Sequence, residues 1–160
     1  MRELKKEIES ASAWADAVFA EAGEILPMWA AVTAKDEHFI VPSTFPDKDV
    51  AASVLRDFFK EKDVVRYLFI TEAWTCTTDD QEVAKRAMAW MRAGNTLEDF
   101  PDRKEILAFT GEDESGWMSA HREIIRGEGK PTLGPLQWID SDMTEGRFVG
   151  MLPRRQETTH

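Results

Sequence analysis

The chain has 160 residues, with 20 Lys and Arg against 30 Asp and Glu, a formal net charge of −10 and a hydrophobic fraction of 42%. That balance is too apolar for a disordered chain and too acidic for direct nucleic-acid binding, which needs a basic patch. No apolar run approaches the ~20 residues of a membrane-spanning helix, and the length suits one domain, expected over residues 1–152 with a tail at 153–160.

Leu4, Ile8, Ala11, Ala15, Val18, Ala22 and Ile25 recur at steps of three and four, which predicts an amphipathic helix. Trp14 borders that stripe, and Pro27 places the helix end near Gly23. Met28–Val32 and Phe39–Val41 are short apolar runs around the polar Lys35-Asp36-Glu37, the pattern of a hairpin. A second helix follows, capped by Ser43 or Thr44 with Pro46 in its first turn, and Val50, Val54, Leu55, Phe58 and Phe59 are its expected buried face.

Val64–Cys76 is the strongest strand signal, apolar on both alternating faces, as in a central strand covered on two sides or one longer than a single layer. Thr78 and Gln81 match a capping box for a third helix with Val83, Ala84, Ala87, Met88 and Met91 on one face, stopped at Gly94-Asn95. The last third reads as a meander: a strand at Glu105–Thr110, a turn at 111–116 with a glycine at each end for positive φ, then strands at Trp117–Arg126, Leu133–Ile139 and Arg147–Leu152. The order predicts an α+β domain: a mostly antiparallel β-sheet of about five to seven strands, with two or three helices packed on one face.

The segments VVRYLFITEAWT, PDRKEILAFTGED and GRFVGMLP resemble a small, functionally uncharacterised family of bacterial and phage proteins, over most of the chain after residue 27. The resemblance implies no activity, cofactor or catalytic residue. Its pattern passes more directly from the central strand to the PDR segment, so the third helix reads as an insertion.

The chemical motifs are sparse. Cys76 is the only cysteine, so no internal disulfide forms, and with an N-terminus unlike a signal peptide the expected location is cytoplasmic. Cys76, His38 and His121 stand apart in sequence, without the close pairs of a metal site, so no metal or cofactor is expected. The 140–146 stretch fails as a calcium loop because its sixth position is Glu145 and its twelfth Met151. Gly127–Lys130 lacks the earlier glycine and the following Ser or Thr of a phosphate loop. Two catalytic candidates remain. Glu72 shares a face with Leu68, Ile70 and Trp74, a setting that raises a carboxyl pKa. His121 shares a face with Glu123, which suits a general base. Each also has a plain reading, a paired surface carboxylate and a mixed strand face.

Six tryptophans are expected mostly in the core, Trp90 excepted: it lies off the third-helix stripe between Met88 and Met91, as in a docking surface. The negative charge is spread, −3 over residues 1–26 and −3 over Glu112–Glu114, with no run of five like charges. The leading expectation is therefore a non-catalytic protein-binding or regulatory domain using Met88, Trp90 and Met91, its partner another protein and a homodimer compatible with it. The alternatives are a small-molecule binder or enzyme using Glu72 and His121, and an acidic nucleic-acid mimic.

Overall fold

In the computed structural model the described residues are 2–43, 47–75, 81–96, 99–101, 103–139 and 151–152. They form α1 (Arg2–Ala22), β1 (Met28–Thr33), β2 (His38–Pro42), α2 (Lys48–Glu61), β3 (Val64–Thr75), α3 (Gln81–Arg92), β4 (Lys104–Asp113), β5 (Gly116–Ile125), β6 (Thr132–Leu133) and β7 (Gln137–Ile139). The strands make one antiparallel sheet in the order β2-β1-β3-β4-β5-β6, with β7 also paired to β5. The protein is α+β. No helix among the described residues is long and apolar enough to cross a membrane.

β3 is central, as its two apolar faces require, and each face carries its own core. Leu68 and Ile70 point toward α1 and pack with its Leu4, Ile8, Ala15 and Phe19. Tyr67 and Phe69 point the other way, where Trp29 of β1 and Leu55 and Phe59 of α2 complete an aromatic cluster. Trp29 stacks on Phe69 at 4.2 Å and meets Phe59 edge-on at 5.9 Å. The helices thus pack on opposite faces rather than on one. A strand apolar on both sides leaves a layer exposed to water unless each side is covered.

α1 ends where expected: Gly23 takes φ +75 and its N–H donates to the Phe19 carbonyl at 3.0 Å. α2 starts later than expected. Its cap is Asp47, whose Oδ1 accepts from the Asp49 and Val50 N–H groups at 2.8 and 3.2 Å. Ser43 instead closes the hairpin, its N–H donating to the Pro27 carbonyl, and Thr44 and Pro46 lie outside the described residues. The buried face of α2 is also rotated. Ala51 and Ala52 are buried with Leu55 and Phe59, while Val50 and Val54 are 50% and 44% exposed. Small residues face the sheet because the large Trp29 and Tyr67 rings already fill the space beneath.

The β4–β5 hairpin is longer than expected, since both strands run on to Asp113 and Gly116. Gly116 has φ +129, as a turn glycine should, but Gly111 is not in the left-handed region and sits inside β4 under α1. The strand expected at Leu133–Ile139 is split. β6 pairs Leu133 with Ile124, whereas β7 pairs Gln137 with His121, so one extra residue bulges out around Gly134-Pro135-Leu136. Pro135 has no N–H to give a ladder.

Arg122 fills that bulge from beneath. Its Nε donates to the Gly134 carbonyl at 2.6 Å, Nη2 to the Leu133 carbonyl at 3.3 Å and Nη1 to the Ser12 carbonyl of α1 at 2.9 Å, and Nη2 pairs with Asp16 at 2.8 Å. A buried guanidinium, with five donors in a fixed fork, suits three converging carbonyls better than water would.

Thr78, expected as a cap, Cys76 and the turn expected at 140–146 lie outside the described residues, as does the tail expected at 153–160. Of the strand expected at Arg147–Leu152, only Met151 and Leu152 are described. They are not strand, and Met151 is buried in the aromatic cluster.

Candidate functional site

Two surfaces stand out, a groove on the α1 face and the third helix. The groove arises because α1 contacts β3, β4, β5 and β6 and leaves the same face of β1 and β2 open. About 480 Å³ of space lies between helix and hairpin. Met28 and Ala30 of β1 and Leu68 and Ile70 of β3 form its floor, Ala11 and Trp14 of α1 one wall, and Ile40 of β2 the outer lip. Trp14 is 43% and Ile40 72% exposed. One end is charged: Glu3 and Lys6 line it, and Glu7 accepts from Arg66 Nε at 2.6 Å. A mostly apolar cleft of this size with a few polar groups at one end is the usual form of a binding site.

α3 is amphipathic but shallowly seated. Ala87 is its only buried residue among those described. The Trp90 ring stands T-shaped on Phe100 at 5.8 Å, and its Nε1 donates to the Thr96 carbonyl at 2.7 Å. Trp90 is thus half-buried and anchors the helix to its following loop. Met88 and Met91 are 50% and 47% exposed. At 100° per residue they share one flank, bordered by Lys85 and Arg92. Gly94, at φ +87, ends the helix.

Glu72 and His121 do not come together. Glu72 is opposite Leu107, which is opposite Arg122, so Glu72 projects on the α1 face. His121 is opposite Ala108, which is opposite Thr71, so it projects on the other face. The sheet stands between the two groups. Glu72 accepts a hydrogen bond from the Ile25 N–H, and burial still pushes its carboxyl above the usual 4.5, helped by nearby Glu105. Its Oε1 is buried and unpartnered. His121 is 5% exposed. Its ring Nε2 lies 3.2 Å from Gln137 Oε1, not against Glu123, and burial lowers its pKa below 6.5. Its Nδ1 is buried without a partner.

Among the described residues no three His, Cys, Asp or Glu side chains gather as a metal site would require. The tryptophans also depart from expectation. Only Trp29 is fully buried. Trp74 carries Arg103 over its ring at 4.8 Å and Trp138 carries Lys5 at 5.8 Å, so a cation covers each of these two exposed rings.

The groove itself was not foreseen. Trp14 off the α1 stripe was a signal for it, but a groove needs two elements, and nothing in the sequence places Ile40 beside Trp14. Fold and surfaces together define the class: an α+β domain on a two-sided antiparallel sheet. Comparison of the chain with protein-family models, curated proteins and solved structures finds no match.

Proposed function

We propose that this chain is a non-catalytic binding protein that acts through contacts with another protein, with Met88 and Met91 at the contact. The observation that carries this reading is the pair of half-exposed methionines on a helix whose Trp90 is tied to the following loop. Methionine adapts its shape to a partner at little cost, which suits a docking face. Trp90 serves the same surface indirectly, by fixing the helix. The separation of Glu72 and His121 by the sheet removes their use in one cleft and favours binding over catalysis. The lone cysteine and the resemblance to bacterial and phage proteins belong to the same reading, that of a cytoplasmic protein.

The test is affinity capture with the wild-type chain and a Met88→Glu/Met91→Glu variant side by side. The expected result is a partner retained by the wild type and lost from the variant. A captured partner that is indifferent to both substitutions would remove α3 from the contact.

A further inference from the structure

We propose that Met88 and Met91 form a reversible oxidation switch, in which a peroxide converts both thioethers to sulfoxides and so releases the partner that α3 holds. This rests on the reading of the two methionines as contact residues and adds how the contact is regulated.

Access comes first. A peroxide must reach the sulfur itself, so exposure orders the methionines of a folded chain. Met88 and Met91 are 50% and 47% exposed, whereas Met151 is 1% exposed and closed inside the aromatic cluster. Met28 and Met118 are half-buried and pack against the core beneath α1. The two most open of the described methionines are therefore the two on α3. They stand three residues apart on one helix, so a single flank takes both oxygens.

The helix tolerates the change. Its one buried residue among those described is Ala87, and Trp90 ties it to the loop through Phe100 and the Thr96 carbonyl. Neither methionine belongs to those ties. Oxidation at the two sulfurs thus alters the surface and leaves α3 in place. The same reaction at Met151 would put a polar oxygen among Trp29, Phe59 and Tyr67, where it would damage the core.

The step balances with peroxide as the co-reactant. A sulfur lone pair attacks one peroxide oxygen, an S–O bond forms and the O–O bond breaks. The sulfur gives up two electrons and the peroxide takes them. The proton left on the new S–O oxygen passes to the departing hydroxide, which leaves as water. The product is polar where methionine was apolar. Each sulfoxide buried at the contact without a donor weakens docking about tenfold. Sulfoxide reductases reverse the step, which makes it a switch.

The test treats the full chain with hydrogen peroxide and scores each methionine, by mass spectrometry of a digest, for the gain of one oxygen. Cys76, the only cysteine, is scored in the same digest. Met88 and Met91 should oxidise several-fold faster than Met28, Met118 and Met151, with the amide protection of α3 unchanged. Affinity capture then compares the wild type before peroxide, after it, and after sulfoxide reductases, beside a peroxide-treated Met88→Leu/Met91→Leu variant, which is apolar and forms no sulfoxide. The partner should be retained, lost and regained by the wild type, and retained by the leucine variant. Earlier oxidation of Met28, Met118 or Met151 overturns the proposal, as does loss of α3 protection. So does a loss of the partner that reductases do not reverse, which would place the sensitive group elsewhere. A partner that stays on the oxidised chain but is lost from Met88→Glu/Met91→Glu ends the switch and leaves the protein-binding reading standing. A wild type that retains no partner before peroxide ends both.

Discussion

Leu4 of α1 occupies the space that a side chain at Gly111 of β4 would need: a Cβ there would stand 2.5 Å from Leu4 Cδ1 and 3.0 Å from the Tyr67 carbonyl. Leu4 is fully buried, so the glycine lets the helix approach the sheet. Gly111→Ala should destabilise the fold by about 1–3 kcal/mol, the range for overpacking. Leu4→Ala should cost about 2–5 kcal/mol through the cavity it leaves. In the double variant the two losses should sum to less than the separate values, because Leu4→Ala vacates the contested space. Urea denaturation of all four proteins checks this, and strict additivity would show that the two positions do not compete.

Arg122 tests the bulge. Arg122→Leu orphans the carbonyls of Ser12, Leu133 and Gly134. At about 1–3 kcal/mol for each unsatisfied group, with water reaching some, the total loss should be about 2–4 kcal/mol. Asp16→Asn should cost less than about 1 kcal/mol, because that carboxylate is 58% exposed and exposed pairs contribute little. Equal losses at the two positions would mean that the ion pair, not the carbonyl network, holds the β6–β7 segment.

His121 makes the fold acid-sensitive in a defined window. Burial lowers its folded pKa below 6.5. Below pH 6.5 the unfolded chain takes up a proton that the folded chain refuses, so stability falls until the lowered folded pKa is reached, and above pH 6.5 there is no effect. His121→Gln should flatten the fall in melting temperature as pH drops below 6.5 relative to the wild type. Parallel curves for the two proteins would place His121 outside this titration.

Glu72 acts in the opposite sense. Its folded pKa is raised above 4.5, so the folded chain keeps a proton that the unfolded chain has lost. Stability therefore declines as pH rises from 4.5 through the raised value and levels off beyond it. Glu72→Gln cannot ionise and should gain stability relative to the wild type at pH 7 compared with pH 4. The two pH values suffice, with thermal melts as the readout, and an unchanged difference refutes it.

The α3 residues divide by role. Trp90→Ala removes the Phe100 contact and the bond to Thr96, so amide protection across α3 should collapse while the sheet keeps its own. Met88→Glu and Met91→Glu, at exposed sites, should each change global stability by no more than about 0.5 kcal/mol. Hydrogen exchange separates the two cases. Loss of α3 protection in the methionine variants would make those residues structural.

Much of the architecture was legible in the order of residues because it depends on local periodicity. The step of three and four from Leu4 to Ile25, the alternation along Val64–Thr75, and the glycines at 23, 94 and 116 each state a conformation that its own neighbours impose. The two apolar faces of β3 pointed to cover on both sides, yet the expected placement of the helices on one face did not hold. What was misplaced depended on partners far away in sequence. The cap of α2 moved to Asp47, its buried face rotated onto Ala51 and Ala52, and Gly111 proved to serve packing rather than a turn.

The candidate site divides in the same way. Met88, Trp90 and Met91 were recognisable because one helix carries them, although only contact with Phe100 shows that Trp90 is an anchor. The separation of Glu72 from His121 was hidden, since it follows from the pairing of β3, β4 and β5 and not from either strand alone. The sequence by itself determined α1, the β1–β2 hairpin, β3 and α3, because backbone propensity and hydrophobic period act over a few residues. Only the tertiary structure decided which faces meet, which side of the sheet each side chain takes, and where α1 stops short and leaves a groove. Those outcomes follow from strand register and the space that large side chains occupy, and both couple residues distant along the chain.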